Sequence, residues 1–191
     1  MDALSAAAFG LVLAACAGLR AFLPVFGASL AARTMDLALP QYLEWLDRPE
    51  TLLLFGVATL FELLGDKVPV VDHLLDSVQV FVKPALAFLA ATPLLYQLSP
   101  EYAAAIGIMV GAPLALGVHA TKASVRLGST ATTGGIANPV LSLLEDVAAI
   151  FAVAVSFFLP LLALFFTAAL LATLAWLAFR VRRAAGTRSR V

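Results

Sequence analysis

Apolar runs fill most of this chain, and polar residues or prolines punctuate them at intervals that suit membrane-crossing helices. The first run, Ala3 to Ala32, is long enough to cross with tilt, or to break at Pro24 in "LRAFLPVFG". Residues 33–50 form a connector with Leu39, Tyr42, Leu43 and Leu46 at helical spacing. A short interfacial helix is expected there, with Tyr42 and Trp45 at headgroup depth. Further spans are expected over Thr51 to about Leu64, over Asp72 to about Leu98 with interruptions at Pro84 and Pro93, and over Tyr102 to about Val118. Residues 127–139, "LGSTATTGGIANP", read as a Gly/Ser/Thr-rich loop, tolerable as a re-entrant segment where buried or lining water. Val140 to Phe179 is too long for one crossing and splits best at Pro160. The pattern predicts an all-α polytopic transmembrane bundle of about six spans, with broken helices, forming a single integral membrane domain over residues 1–191.

Composition agrees. At 62% hydrophobic, 13% charged and a mean hydropathy of +1.00, the chain belongs to the membrane class and has no room for a separate soluble domain. A net charge of +0 gives no reason to expect nucleic acid as a partner; the lipid bilayer is the expected one. The lone Cys16 excludes an intrachain disulfide. "LAAC" at Leu13 to Cys16 looks like a lipoprotein cleavage box, but no Lys or Arg precedes it, so a retained first span is expected. Residues 180–191, "RVRRAAGTRSRV", are basic and should be cytoplasmic. Six spans then put both termini on the cytoplasmic side of an inner (plasma) membrane, together with Lys67, Lys122 and Arg126.

A charge at a helix centre costs about 2.5–3.5 kcal/mol on insertion scales, so the remaining ionisable groups should face protein or water and pair with one another. Asp72, Asp76, Gln79 and Lys83 share one helix face, Glu62 and Asp66 another, and His119, Lys122 and Arg126 a third. "PVVDHLLDSV" aligns with "PVLSLLEDVA", which sets Asp76 opposite Asp146 and suggests a parallel two-helix repeat with a site at its interface. The candidate ligands for a cation or protons are Asp76, Asp146, Glu62, Asp66, Asp72 and Glu145. A divalent cation, if one binds, is expected at Asp76 and Asp146; no other cofactor is. Arg20, Lys67, Lys83, His119, Lys122 and Arg126 are the candidate counter-charges and gating groups. His73 reads as an interfacial hydrogen-bonder, and Asn138 as an N-cap with Pro139 at the first helical position.

These residues suit a small transporter or channel, expected as a homo-oligomer because so few helices seldom enclose a pore alone. The alternatives are a membrane enzyme acting on a lipid phosphate headgroup, or a structural protein whose charges fix helix register. An enzyme is the weaker reading: no Ser-His-Asp set, aspartate-rich prenyl diphosphate box or Gly-rich nucleotide loop can be read.

"GLRAFLPVF", "ELLGDKVPVVDHLLDSVQVFVKP" and "HATKASVRLGSTATTGGIANPVLSLLED" together resemble an uncharacterised bacterial family of integral membrane proteins, a domain of unknown function (DUF4126-like). The resemblance covers nearly the whole chain and implies a small polytopic membrane protein with no activity to carry over. "ELLGDKV", Glu62 to Val68, is also similar to the Glu-x-Gly-Asp-Lys-Thr motif of a cation/proton exchanger family, with one residue inserted before Gly65 and Val68 in place of the hydroxyl residue. That similarity implies cation handling.

Overall fold

The computed structural model describes residues 2–67 and 69–188; the side chains of 69–74, 76, 181–182 and 184–188 lie outside that description. The chain is all-helical, with no strand among the described residues. In order come α1 (Ala3–Leu19), α2 (Leu23–Thr34), a 3-10 helix (Gln41–Asp47), α3 (Pro49–Gly65), α4 (Pro69–Leu98), α5 (Ala103–Ile106), a π-helical turn (Gly107–Gly111), α6 (Ala112–Thr133), α7 (Asn138–Phe158) and α8 (Pro160–Arg188).

The expected first span is two helices folded back on each other. α1 starts at Asp2, whose Oδ1 accepts from the Ser5 N–H at 2.6 Å; this bond holds the Asp2 carboxyl below the ordinary carboxylate range. It ends at Arg20, whose backbone is extended (φ −131°, ψ 118°). Gly27 of α2 then lies against Leu13 of α1, each about seven residues from the turn. Gly10 packs beside Ala91 and Leu94 near the C-terminal end of α4, and the Ala38 carbonyl beyond α2 accepts from Gln97 at the same end, at 2.8 Å. The α1–α2 hairpin therefore dips into the bundle and returns. The break expected at Pro24 falls instead at Arg20–Phe22, and Pro24 sits in the first turn of α2, where its missing N–H costs nothing.

α1 is apolar all round and is the buried axis of the bundle, with Phe9, Val12 and Leu13 fully enclosed. Phe9 meets Phe157 edge to face at 5.0 Å. A Cβ on Gly18 would lie 2.4 Å from the Ala115 carbonyl oxygen and from the Val118 Cβ, so α1 and α6 approach backbone to backbone. The π-helical turn lies where α4 crosses closely, and a Cβ on Gly107 would meet Thr92 Oγ1 at 2.8 Å.

Other boundaries shift as well. α4 runs through Pro84 and Pro93 without interruption. The expected loop over 127–139 is corrected: residues 127–133 are the last turns of α6, and only 134–137 turn. The hydroxyls of Thr130, Thr132 and Thr133 donate to the carbonyls of Arg126, Gly128 and Ser129, which satisfies them inside the helix. α6 stops at Gly134, whose left-handed backbone (φ 64°) suits glycine. Pro139 lies in the first turn of α7, but Asn138 is already helical, and its Nδ2 donates to Thr130 Oγ1 at 3.0 Å instead of capping. In the connector, Leu43 and Leu46 of the 3-10 helix are buried while Tyr42 is exposed, and Trp45 Nε1 donates to the Tyr42 carbonyl at 2.9 Å.

The split at Pro160 holds, and α8 carries the basic tail on as helix to Arg188. Among the described residues, four helical stretches are long and apolar enough to cross a membrane: Ser77–Leu98, Ala103–Thr133, Asn138–Phe158 and Pro160–Arg180. The 17 residues of α1 reach only about 25 Å, short of a hydrocarbon core of about 30 Å. The chain is thus a multi-pass membrane protein. α8 starts near the Phe9 end of α1, passes Cys16 and Leu19 at Thr167–Leu171, and reaches Ala120 and Ser124 of α6 at Ala178 and Phe179. Its C-terminus lies at the end of the bundle opposite Ala3.

Candidate functional site

Non-helical backbone at membrane depth needs a partner for every N–H and C=O it frees. At the hairpin tip these partners are ionic. The Glu62 carboxylate of α3 accepts from the backbone N–H of Ala21 at 2.7 Å and of Phe22 at 3.0 Å, at the N-terminus of α2. Its Oε1 also accepts from Gln79 Nε2 of α4 at 2.7 Å. Lys122 Nζ of α6 donates to the Leu19 carbonyl at 3.3 Å, at the C-terminus of α1. An anion thus meets the positive end of one helix dipole and a cation the negative end of the other.

Arg20, with no exposed surface, projects from this tip into a charge network. Its guanidinium pairs with Asp66 at the end of α3 and with Asp146 of α7, and donates to the Ser142 carbonyl and hydroxyl at 3.3 and 3.1 Å. Lys122 lies 3.7 Å from Asp66 and 3.4 Å from Glu145. Arg126, one turn on, lies 3.6 Å from Asp66 and 3.2 Å from Glu145. Lys67 pairs with Asp146 and donates to Ser142 Oγ at 3.0 Å. Spacing explains the convergence: Lys122 and Arg126 are i, i+4 on α6, and Ser142, Glu145 and Asp146 are i, i+3, i+4 on α7. The network is buried except at one edge, where the Lys67 side chain is 36% exposed. Lys83 and His119 make a second polar contact, Nζ to Nδ1 at 2.9 Å, also buried.

Of the predicted ligands, the structure brings Asp66, Glu145 and Asp146 together with the predicted counter-charges Arg20, Lys67, Lys122 and Arg126. Glu62 stands apart, holding the hairpin backbone. The side chains of Asp72, His73 and Asp76 lie outside the described residues, and so do the Asp76–Asp146 pairing and the divalent cation expected there. Among the described residues, no group of three or more His, Cys, Asp or Glu side chains is placed to hold a metal ion. Each of Asp66, Glu145 and Asp146 has at least two basic groups within 4.0 Å. A cation would have to displace an arginine or lysine, whereas a proton on Asp146 would release the charge that holds Arg20 and Lys67. Sequence reasoning missed Ser142, whose hydroxyl joins Arg20 to Lys67. Its signal was a lone polar residue one turn ahead of two carboxylates on an apolar helix.

No curated protein and no solved structure matches the chain. A family described as "Domain of unknown function (DUF4126)" matches residues 7–180, a stretch that takes in the hairpin, the charge network and all of its contributing helices, and the chain belongs to that family.

Proposed function

We propose that this protein is a small membrane transporter whose coupling site is the charge network at the hairpin tip, where a cation or protons exchange with internal counter-charges on Asp66, Glu145 and Asp146. One observation carries the reading: a buried break between two half-helices, with four carboxylates (Glu62, Asp66, Glu145 and Asp146) and four basic groups gathered round it. Broken helices aimed at ions are how secondary transporters build sites within the bilayer. Intramembrane ionisable groups also cost too much to be neutral ornaments.

Lys67, Lys122, Arg126, Arg180 and Arg183 lie toward one end of the bundle, while Arg33 and Arg48 on the segment at the other end are offset in the sequence by Asp36, Glu44, Asp47 and Glu50. Positive charge favours the cytoplasmic side, so the network end faces the cytoplasm of a plasma membrane, with the Lys67 edge as the entrance. Protonation of Asp146 frees Lys67 there, while Asp66 retains Arg20. Release of the proton restores the resting pairs. The working unit is a homo-oligomer.

The test is flux in proteoliposomes under an imposed pH gradient, with Na⁺, K⁺, Ca²⁺ and Mn²⁺ supplied in turn. Wild-type protein is expected to move at least one cation with proton counter-flow, and Asp146→Asn to abolish this while remaining folded and monodisperse. The saturation of every carboxylate supports a second reading, a lock that only fixes helix register. Absence of flux with every cation, with Asp146→Asn lowering stability alone, would decide for the lock. Nothing comparable favours a lipid-phosphate enzyme, since Lys122 and Arg126 turn into the network, only 2% and 8% exposed.

A further inference from the structure

Between α1, α7 and α8 lies a cavity of about 170 Å³, with Cys16, Ala148, Phe151, Phe166 and Thr167 among its walls. Apart from the Cys16 thiol and the Thr167 hydroxyl, the side chains lining it belong to alanine, leucine and phenylalanine. Thr167 lies within the apolar stretch Pro160–Arg180, at membrane depth. It is 5% exposed, and its hydroxyl oxygen has no hydrogen-bond partner. Other helical threonines avoid this state. Thr59, Thr92, Thr121 and Thr173 each donate to the carbonyl four residues back, at 2.7 to 2.8 Å. A buried hydroxyl left unmet is costly, so one held beside a cavity calls for an occupant that meets it.

Water suits the place poorly, because it needs several polar partners and the lining side chains offer one hydroxyl and a weakly bonding thiol. A lipid acyl chain would fill the space and leave the hydroxyl unmet. Size and shape point to a ring: cavities of about 150 Å³ lined by aliphatic and aromatic side chains take benzene. Phe151 and Phe166, 54% and 47% exposed, meet edge to face at 6.4 Å and border the cavity on its lipid side.

We propose that this cavity binds a small aromatic alcohol drawn from the bilayer, a phenol in class, its ring among the phenylalanines and leucines and its hydroxyl hydrogen-bonded to Thr167. A phenol oxygen can donate to that residue or accept from it. Leu19 also lines the cavity, and the Cys16 carbonyl accepts from the Arg20 N–H at 2.8 Å, so an occupant abuts the hairpin tip. The site is independent of the transport reading and requires neither flux nor the charge network.

The experiment titrates 4-fluorophenol and fluorobenzene against the full chain in detergent micelles, followed by fluorine NMR. Ala148→Leu, which fills the cavity, is the blank for partition into the micelle. Wild-type protein is expected to bind fluorophenol saturably and about 5- to 10-fold more tightly than fluorobenzene, the worth of one hydrogen bond. Thr167→Val removes the hydroxyl and should bring the two affinities level; should that variant fail to fold, the wild-type ratio decides alone. Binding of neither probe above the blank overturns the site. Equal affinities in wild type, or a preference that survives Thr167→Val, overturns a phenol held by this hydroxyl.

Discussion

A guanidinium offers several N–H donors in a fixed planar fork, and Arg20 spends them on Asp66, Asp146 and Ser142 from two different helices. Arg20→Ala leaves two buried carboxylates short of a partner, a change expected to cost about 3–5 kcal/mol of unfolding free energy. Arg20→Lys keeps the charge on a single nitrogen that cannot reach both carboxylates, so it should recover only part of that loss. Denaturant titration of the detergent-solubilised protein measures both, and a lysine variant as stable as wild type would refute the fork geometry. At this scale the ionic members of the network were legible, because a charge within an apolar run announces itself. Their assignments were less so. Glu62 reads as an ion ligand from its i, i+4 spacing to Asp66, yet its acceptors are taken by backbone N–H groups and Gln79. Backbone partners leave no mark in a sequence.

Between α1 and α2 the chain reverses direction in three residues without leaving the protein interior, and Glu62 is what allows it. Glu62→Ala would strand the N–H groups of Ala21 and Phe22; at about 1–3 kcal/mol for each buried unmet donor, a loss of roughly 2–6 kcal/mol is expected. Glu62→Gln keeps one acceptor oxygen and should fall between. Amide hydrogen exchange at Ala21 and Phe22 should accelerate in step, and unaltered exchange in the alanine variant would show that the turn does not depend on this carboxylate. Close helix packing makes a second expectation. Gly18→Ala pushes a methyl to 2.4 Å from the Ala115 carbonyl and should cost about 1–3 kcal/mol, whereas Gly117→Ala, with open space around it, should be neutral or slightly stabilising. Equal thermal midpoints for the two would refute the α1–α6 contact. Pro160 gave away the α7–α8 boundary because a missing N–H has a local consequence. The break at Arg20 and the helicity of 127–133 did not show, since the first depends on Glu62, 42 residues on, and the second on Thr hydroxyls turning back to their own helix.

For the molecule as a whole, counting apolar runs does not fix the number of crossings. A 30-residue apolar run looks like a tilted crossing from its composition, and hydropathy alone does not distinguish it from two half-length helices folded together. The distances do: Gly27 beside Leu13, and Gly10 and Ala38 both at the C-terminal end of α4. With the first apolar run folded into a hairpin, the basic end of α8 and the N-terminus of α1 fall at opposite ends of the bundle, and the network lies nearer the basic one. Single-cysteine reporters in a Cys16→Ala background test this directly, because the native thiol is buried and its removal leaves a silent protein. Asp2→Cys and Glu101→Cys should react with a membrane-impermeant maleimide from one side, and Ile136→Cys and Ala185→Cys from the other, in right-side-out and inverted vesicles alike scored by accessibility before and after permeabilisation. Labelling of positions 2 and 185 from the same side would mean that the first apolar run crosses after all. Arg20 would then no longer be carried into the bundle by a turn, and the common origin of the buried break and the charge network would be lost with it.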